Sequence, residues 1–120
     1  MAVITPTYTE LDPRDGSVLR YSWAMVTAGD TGAPMPFAQW ADRTVQFNGT
    51  WGAGTIVWEG SNDGTNYETL TDAQTTAISK TANALEQVVE MTALARPRVT
   101  VGVTAVTVTC VARRAQPMRA

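Results

Sequence analysis

The sequence predicts an all-β chain, an antiparallel β-sandwich or jelly roll of about seven to eight strands with an extended N-terminal arm. Three observations carry that reading. Short runs of alternating apolar and polar residues recur along the chain, separated by turn-forming clusters every ~8–12 residues. One such run, Thr55-Ile56-Val57-Trp58-Glu59, meets the turn formers from Gly60 to Asn66, and a second, Tyr67 to Leu70, leads away from them. Within that hairpin Asp63-Gly64 supplies the positive φ that a tight or bulged connection needs, because glycine has no Cβ to clash there. The third observation is the wealth of β-branched residues in Arg98 to Val101 and Ala105 to Arg113, parted by Gly102.

Each element follows in order. Residues 1–17 hold Pro6, Pro13 and Gly16 without usable periodicity and are expected to form the arm. From Val18 to Thr27 the chain alternates, with Leu19, Tyr21, Trp23 and Met25 on one face and Val18, Arg20, Ser22 and Ala24 on the other. Ala28 to Asp42 is loop-like. Its prolines confine Phe37 to Trp40 to a short edge pairing at most. Arg43 to Asn48 sets Val45 and Phe47 inward and Thr44, Gln46 and Asn48 outward, and Gly49 to Gly54 turns around Trp51. After the hairpin, Thr76 to Ser79 is a short strand in a polar stretch. Ala82 to Glu90 carries helix formers, yet Leu85, Gln87 and Val89 alternate; a strand fits better, since a lone short helix would sit among strands. Thr92 to Leu94 reads as a short helical turn. In the last strand Val106, Val108, Cys110 and Ala112 share one face, and residues 114–120 form a tail, so the sandwich domain spans 18–113. Trp23, Phe47, Trp58, Leu70, Val89 and Val108 are the expected core, the aromatics each burying about 150–250 Å².

Composition points away from catalysis. The 120 residues include no histidine, the side chain most used for acid–base work near neutral pH and the commonest metal ligand. Cys110 is the one cysteine, with no basic sequence neighbour to make it a thiolate, and is expected to be a buried structural residue. Glu59, Asp63 and Glu68 resemble a paired-carboxylate site only in sequence proximity; acids at strand ends beside a polar turn are expected to be solvated. Asn62 to Asn66 is oxygen-rich but lacks the EF-hand spacing, so Asx-turn bonding explains it and no metal or cofactor is expected. No enzyme activity is expected.

Net charge is −2, which argues against bulk nucleic-acid binding, and no apolar run approaches the ~20 residues of a membrane span. The opening Met-Ala-Val-Ile-Thr-Pro lacks a secretion-signal pattern, so synthesis in the cytoplasm is expected. Arginine outnumbers lysine, Lys80 being the sole lysine, which suits planar contacts with carboxylates and aromatic rings on a surface covered by another protein. Trp40, Trp51 and Tyr67 at loop or strand-end positions are expected to be exposed, able to stack on a sugar or fill a partner's pocket.

The string Glu59-Gly60-Ser61-Asn62-Asp63-Gly64-Thr65-Asn66-Tyr67, preceded by Val57-Trp58, resembles the hairpin of discoidin-like, galactose-binding-type jelly rolls. The wider stretch from Thr44-Val45-Gln46-Phe47 to Arg96-Pro97-Arg98-Val99-Thr100 is similar to small tailed-bacteriophage virion proteins, in which such a hairpin precedes an Arg-Pro-x-Val-Thr strand. That resemblance implies a capsid cement or decoration protein on the virion surface, made in the host cytoplasm, binding the major capsid protein and itself a dimer or trimer. A tail or neck protein and a module for host-surface glycans are the alternatives. Ile4, Tyr8 and Leu11 in the arm, Trp40 and Trp51 in the loops, and Arg113 and Arg114 near the tail are the candidate partner contacts.

Overall fold

The structure, a computed structural model, describes residues 2–11, 17–35 and 42–114. These form a two-layer β-sandwich of jelly-roll type with no helix among them. The strands are β1 (Val3–Ile4), β2 (Thr7–Glu10), β3 (Val18–Met25), β4 (Thr31–Gly32), β5 (Asp42–Thr50), β6 (Thr55–Ser61), β7 (Glu68–Thr69), β8 (Ser79–Lys80), β9 (Ala84–Val88), β10 (Leu94–Val101) and β11 (Ala105–Arg113). One sheet runs β1-β4-β10-β6-β7, with β8 also on β6; the other runs β2-β3-β11-β5-β9. All pairings are antiparallel except β1 with β4. Seven strands of four or more residues correspond to the seven or eight expected, and the surplus is four two-residue pieces.

The alternation read from the sequence is what closes the layers. Leu19, Tyr21, Trp23 and Met25 of β3, Val45 and Phe47 of β5, and Val106, Val108, Cys110 and Ala112 of β11 all point into the core. They meet Ile56 and Trp58 of β6 and Ala95 and Val99 of β10 from the facing sheet. Trp23 and Trp58 join the layers edge to face, with ring centroids 5.6 Å apart. Pro97 sits mid-strand in β10 opposite Trp58 and has no N–H for the ladder toward β4. That ladder touches β10 at Arg98 and at a bridge between Met35 and Ala95, on either side of the proline. Gly32 makes the room: a Cβ there would lie 2.6 Å from both Pro97 Cδ and the Trp23 ring, whose Nε1 donates to Ala33 O at 3.0 Å.

Four expectations need correction. Within the extended arm expected over residues 1–17, residues 2–11 do not stand apart from the sandwich, because β1 pairs with β4 and β2 pairs with β3 through residues 7–10. Asp30, buried, accepts the Ala2 N–H at 2.9 Å and so ties the chain start to the body. Thr92 to Leu94 makes no helical turn, and Leu94 opens β10. Ala82 to Glu90 does contain a strand, but in the other frame: Val88 is buried beside Arg43, while Val89 is 52% exposed. A one-residue shift exchanges every face of a strand. Finally, the Thr76 to Ser79 strand reduces to a bridge at Ala77 and to β8. Lys80 of β8 donates to Glu86 Oε2 of β9 at 2.6 Å, linking the two sheets at their open side.

Phe37 to Trp40 and residues 115–120 lie outside the described residues.

Candidate functional site

The hairpin forms as its turn chemistry requires, with Glu59 opposite Thr69, Gly60 opposite Glu68, and Gly64 at φ 82°. Asp63 organises the loop. Its carboxylate accepts from the Thr65 and Asn66 backbone N–H groups, each at 2.8 Å, from Asn66 Nδ2 at 2.7 Å and from the Ser61 hydroxyl at 2.9 Å. The bonds from Asn66, then Thr65, hold its carboxyl well below the ordinary aspartate value. Asn62 Oδ1 accepts the Ala93 N–H at 2.9 Å, so the turn leans on the start of β10. A depression of about 450 Å³ lies beside it, lined by residues including Ser61, Asp63, Glu68, Leu70, Glu90 and Thr92. Burial works against ionisation of Glu90 there, but the hydroxyl and backbone N–H of Thr71, at 2.6 and 2.8 Å, win and lower its pKa.

Glu59 contradicts the expectation of a solvated strand-end acid. It is 2% exposed on the outer face of its sheet, where β10 places Arg96 directly opposite and Arg98 two residues along. Arg96 Nε donates to Glu59 Oε2 at 2.7 Å, and Arg98 Nε donates to Oε1 at 2.9 Å. The Arg96 guanidinium also lies over the Tyr67 ring, 3.6 Å from its centroid. One carboxylate therefore holds two guanidiniums, and one of those is clamped between the carboxylate and an aromatic face. The sequence signal for this was the Arg-x-Arg spacing, which puts both side chains on one face of a strand. The partner could not be read because it lies 37 and 39 positions away.

The other candidate residues are scattered. Ile4 packs against the core from β1. Tyr8 is exposed on β2 with its ring 5.0 Å from that of Tyr21. Leu11 is exposed, its N–H donating to Val18 O at 2.8 Å, and Arg114 N donates to Ser17 O at 2.8 Å. Arg113 pairs with Val18, so Leu11, Arg113 and Arg114 gather at one end of the sheet containing β3 and β11. Trp51 belongs to the opposite end and is not exposed. At 7% exposure it tilts against Phe47 at 6.2 Å, and its Nε1 donates to Asn83 Oδ1 at 2.8 Å. Trp40 lies outside the described residues.

Cys110 is buried, and burial pushes its thiol up to about 12. The opposing influence is Arg43, buried on the inner face of β5, whose positive charge favours a thiolate but loses to desolvation. Among the described residues, no group of three or more acidic, histidine or cysteine side chains is arranged to hold a metal ion.

No protein-family profile matches the chain, and no curated protein sequence does. Among solved structures, the chain is similar to the SPBc2 prophage-derived protein YomS, with 14% identity and a TM-score of 0.61 over 79% of this chain and 93% of that one. A Neisseria meningitidis protein, NMB1881, aligns at 8% identity and a TM-score of 0.42 over 90% of this chain and 82% of its own. The Schizosaccharomyces pombe Cnp3 cupin domain aligns at 14% identity and a TM-score of 0.48 over 92% and 61%. What the chain shares with YomS is its fold.

Proposed function

We propose that this chain is a non-enzymatic bacteriophage structural protein, a capsid cement or decoration protein that binds adjacent major capsid subunits and stiffens the shell. The observation that carries this is where the exposed apolar side chains fall. Of the eight large apolar side chains exposed among the described residues, Val3, Tyr8 and Leu11 lie along the β1–β2 edge, Leu85, Val89 and Met91 lie on and beyond the β9 edge, and Val26 and Val101 stand at the ends of β3 and β10. Edge strands that carry apolar side chains are surfaces another protein can cover. The sandwich between them is a packed body with indoles across its centre, suited to transmitting load between contacts. Symmetry-repeated attachment on a shell lets each contact be modest.

The similarity in fold to a prophage-derived protein and the resemblance of the hairpin and of the Arg96-Pro97-Arg98 strand to virion proteins support the same reading. A glycan-binding role loses two of its three expected rings, since Trp51 is buried and the Tyr67 ring has Arg96 over it, while Trp40 lies outside the described residues. The test is co-sedimentation. Purified chain mixed with shells assembled from the major capsid protein of the same phage should pellet with them to a saturating occupancy. A chain that stays in the supernatant at every shell concentration overturns the proposal.

A further inference from the structure

The outer face of the β6–β10 pair carries more cationic hydrogen-bonding capacity than the chain itself uses. A guanidinium offers five N–H donors in a planar fork. Arg96 and Arg98 each spend only Nε, on the two oxygens of Glu59. Among the described residues their Nη groups make no hydrogen bond. One buried carboxylate between two guanidiniums leaves the cluster a single net positive charge. Both arginine side chains keep access to solvent, at 23% and 40% exposure against 3% for Glu59. Each arginine is already held in place, by Glu59 for both and by Tyr67 in addition for Arg96. An incoming group would therefore meet forks whose conformational freedom is largely spent, which lowers the cost of binding.

We infer that Arg96 and Arg98, braced by Glu59, form a clamp for one carboxylate of an acidic segment on a partner protein. The charge selects the ligand: a surplus of one matches a single carboxylate, and two planar forks match its two oxygens. A phosphate dianion would leave negative charge unbalanced, and a run of phosphates is disfavoured by a chain whose net charge is −2. The cluster stands on an open sheet face and does not line the depression beside the hairpin turn. A small free anion there stays in contact with water, whereas a protein segment brings its carboxylate together with further contacts on the same face. This inference deepens the capsid reading, because it names the chemistry by which the partner docks.

The test uses the full chain in solution. Arginine side-chain N–H resonances are followed by NMR while a short Asp/Glu-containing peptide is added. The same peptide with Asn/Gln replacements and inorganic phosphate serve as separate arms. The acidic peptide should shift Arg96 and Arg98 saturably and leave Arg20, on the other sheet, unmoved. The Asn/Gln peptide should not bind, and phosphate should bind more weakly than the acidic peptide. Arg98→Gln should weaken peptide binding about tenfold, the scale of one charge-assisted hydrogen bond. Arg98→Lys, which keeps the charge but loses the fork, should weaken it by a smaller factor. Equal shifts at Arg20, equal binding of the neutral peptide, tighter binding of phosphate, or unchanged affinity in R98Q would each overturn the clamp. Shell co-sedimentation reports separately on the other proposal. Peptide binding without co-sedimentation overturns the capsid role alone, and co-sedimentation without peptide binding overturns the clamp alone.

Discussion

Replacing Asn83 with alanine removes one oxygen and breaks two bonds of unequal worth. Asn83 Oδ1 accepts the Gly49 N–H at 2.9 Å and the Trp51 Nε1–H at 2.8 Å. The Gly49 bond is exposed, so water replaces the lost acceptor and the cost is a few tenths of a kcal/mol, about the low end for such bonds. The indole belongs to a residue only 7% exposed and packed against Phe47, so its N–H is stranded with poor access to water. An unsatisfied donor of that kind costs about 1–2 kcal/mol. With a urea slope of about 1–3 kcal/mol per molar, the midpoint of unfolding should fall by about 0.5–1 M. Asn83→Asp keeps the acceptor and should stay near the parent. In a Trp51→Phe background the donor is already gone, and Asn83→Ala should then cost only the Gly49 share, a coupling of about 1 kcal/mol. Equilibrium urea unfolding of the parent and the four variants measures all of this. Equal losses from Asn83→Ala with and without the indole would refute the account of how the Trp51 turn is held.

Three further outcomes are expected. The Asp63 carboxyl, followed by carbon NMR, should titrate below the ordinary aspartate value of 3.8 because Asn66 and Thr65 bond its ionised form. Since its folded pKa is depressed, the associated stabilisation is present above the unfolded value and is lost as pH falls through the folded one; a midpoint above 4 would contradict the turn geometry (~4 being the unperturbed value). Cys110 should resist a thiol reagent at pH 8, because its thiol lies near 12 and is buried, and should label only as fast as the chain unfolds. Rapid labelling of the folded protein would place it elsewhere. Deleting residues 1–11 should lower the melting temperature by more than about 5 °C, as it strips β1 and β2 from their sheets and removes the Ala2 bond to Asp30. A truncated chain with unchanged melting would mean that these residues add nothing to the sandwich, as expected of an arm lying outside it.

What was legible in the sequence was local. The 55–70 hairpin depends on turn residues beside each other, and the inward faces of β3, β5 and β11 follow from period-two alternation. The strand at Ala84–Val88 was visible, but its frame was not, because Val88 and Val89 are chemically alike and only pairing with Arg43 on β5 decides between them. Two-residue strands such as β1 and β4 carry no periodicity at all; they exist because a neighbouring backbone lies within reach. The candidate site was hidden for the same reason. Glu59 looks like a surface acid until the register of β6 against β10 sets two arginines on it, and Trp51 looks like an exposed ring until Asn83 arrives from 32 positions away. Asn48-Gly49-Thr50, a glycosylation acceptor by pattern, is the end of β5, where a Cβ on Gly49 would lie 2.2 Å from Ala105 O.

Counting molecules of this chain in purified phage particles, by quantitative mass spectrometry against the major capsid protein, tests the central proposal most directly. A shell component should be present in hundreds of copies, in fixed ratio to the capsid subunit. About six to twelve copies, the closed rings of a tail or neck, or no copies at all, would contradict a cement role.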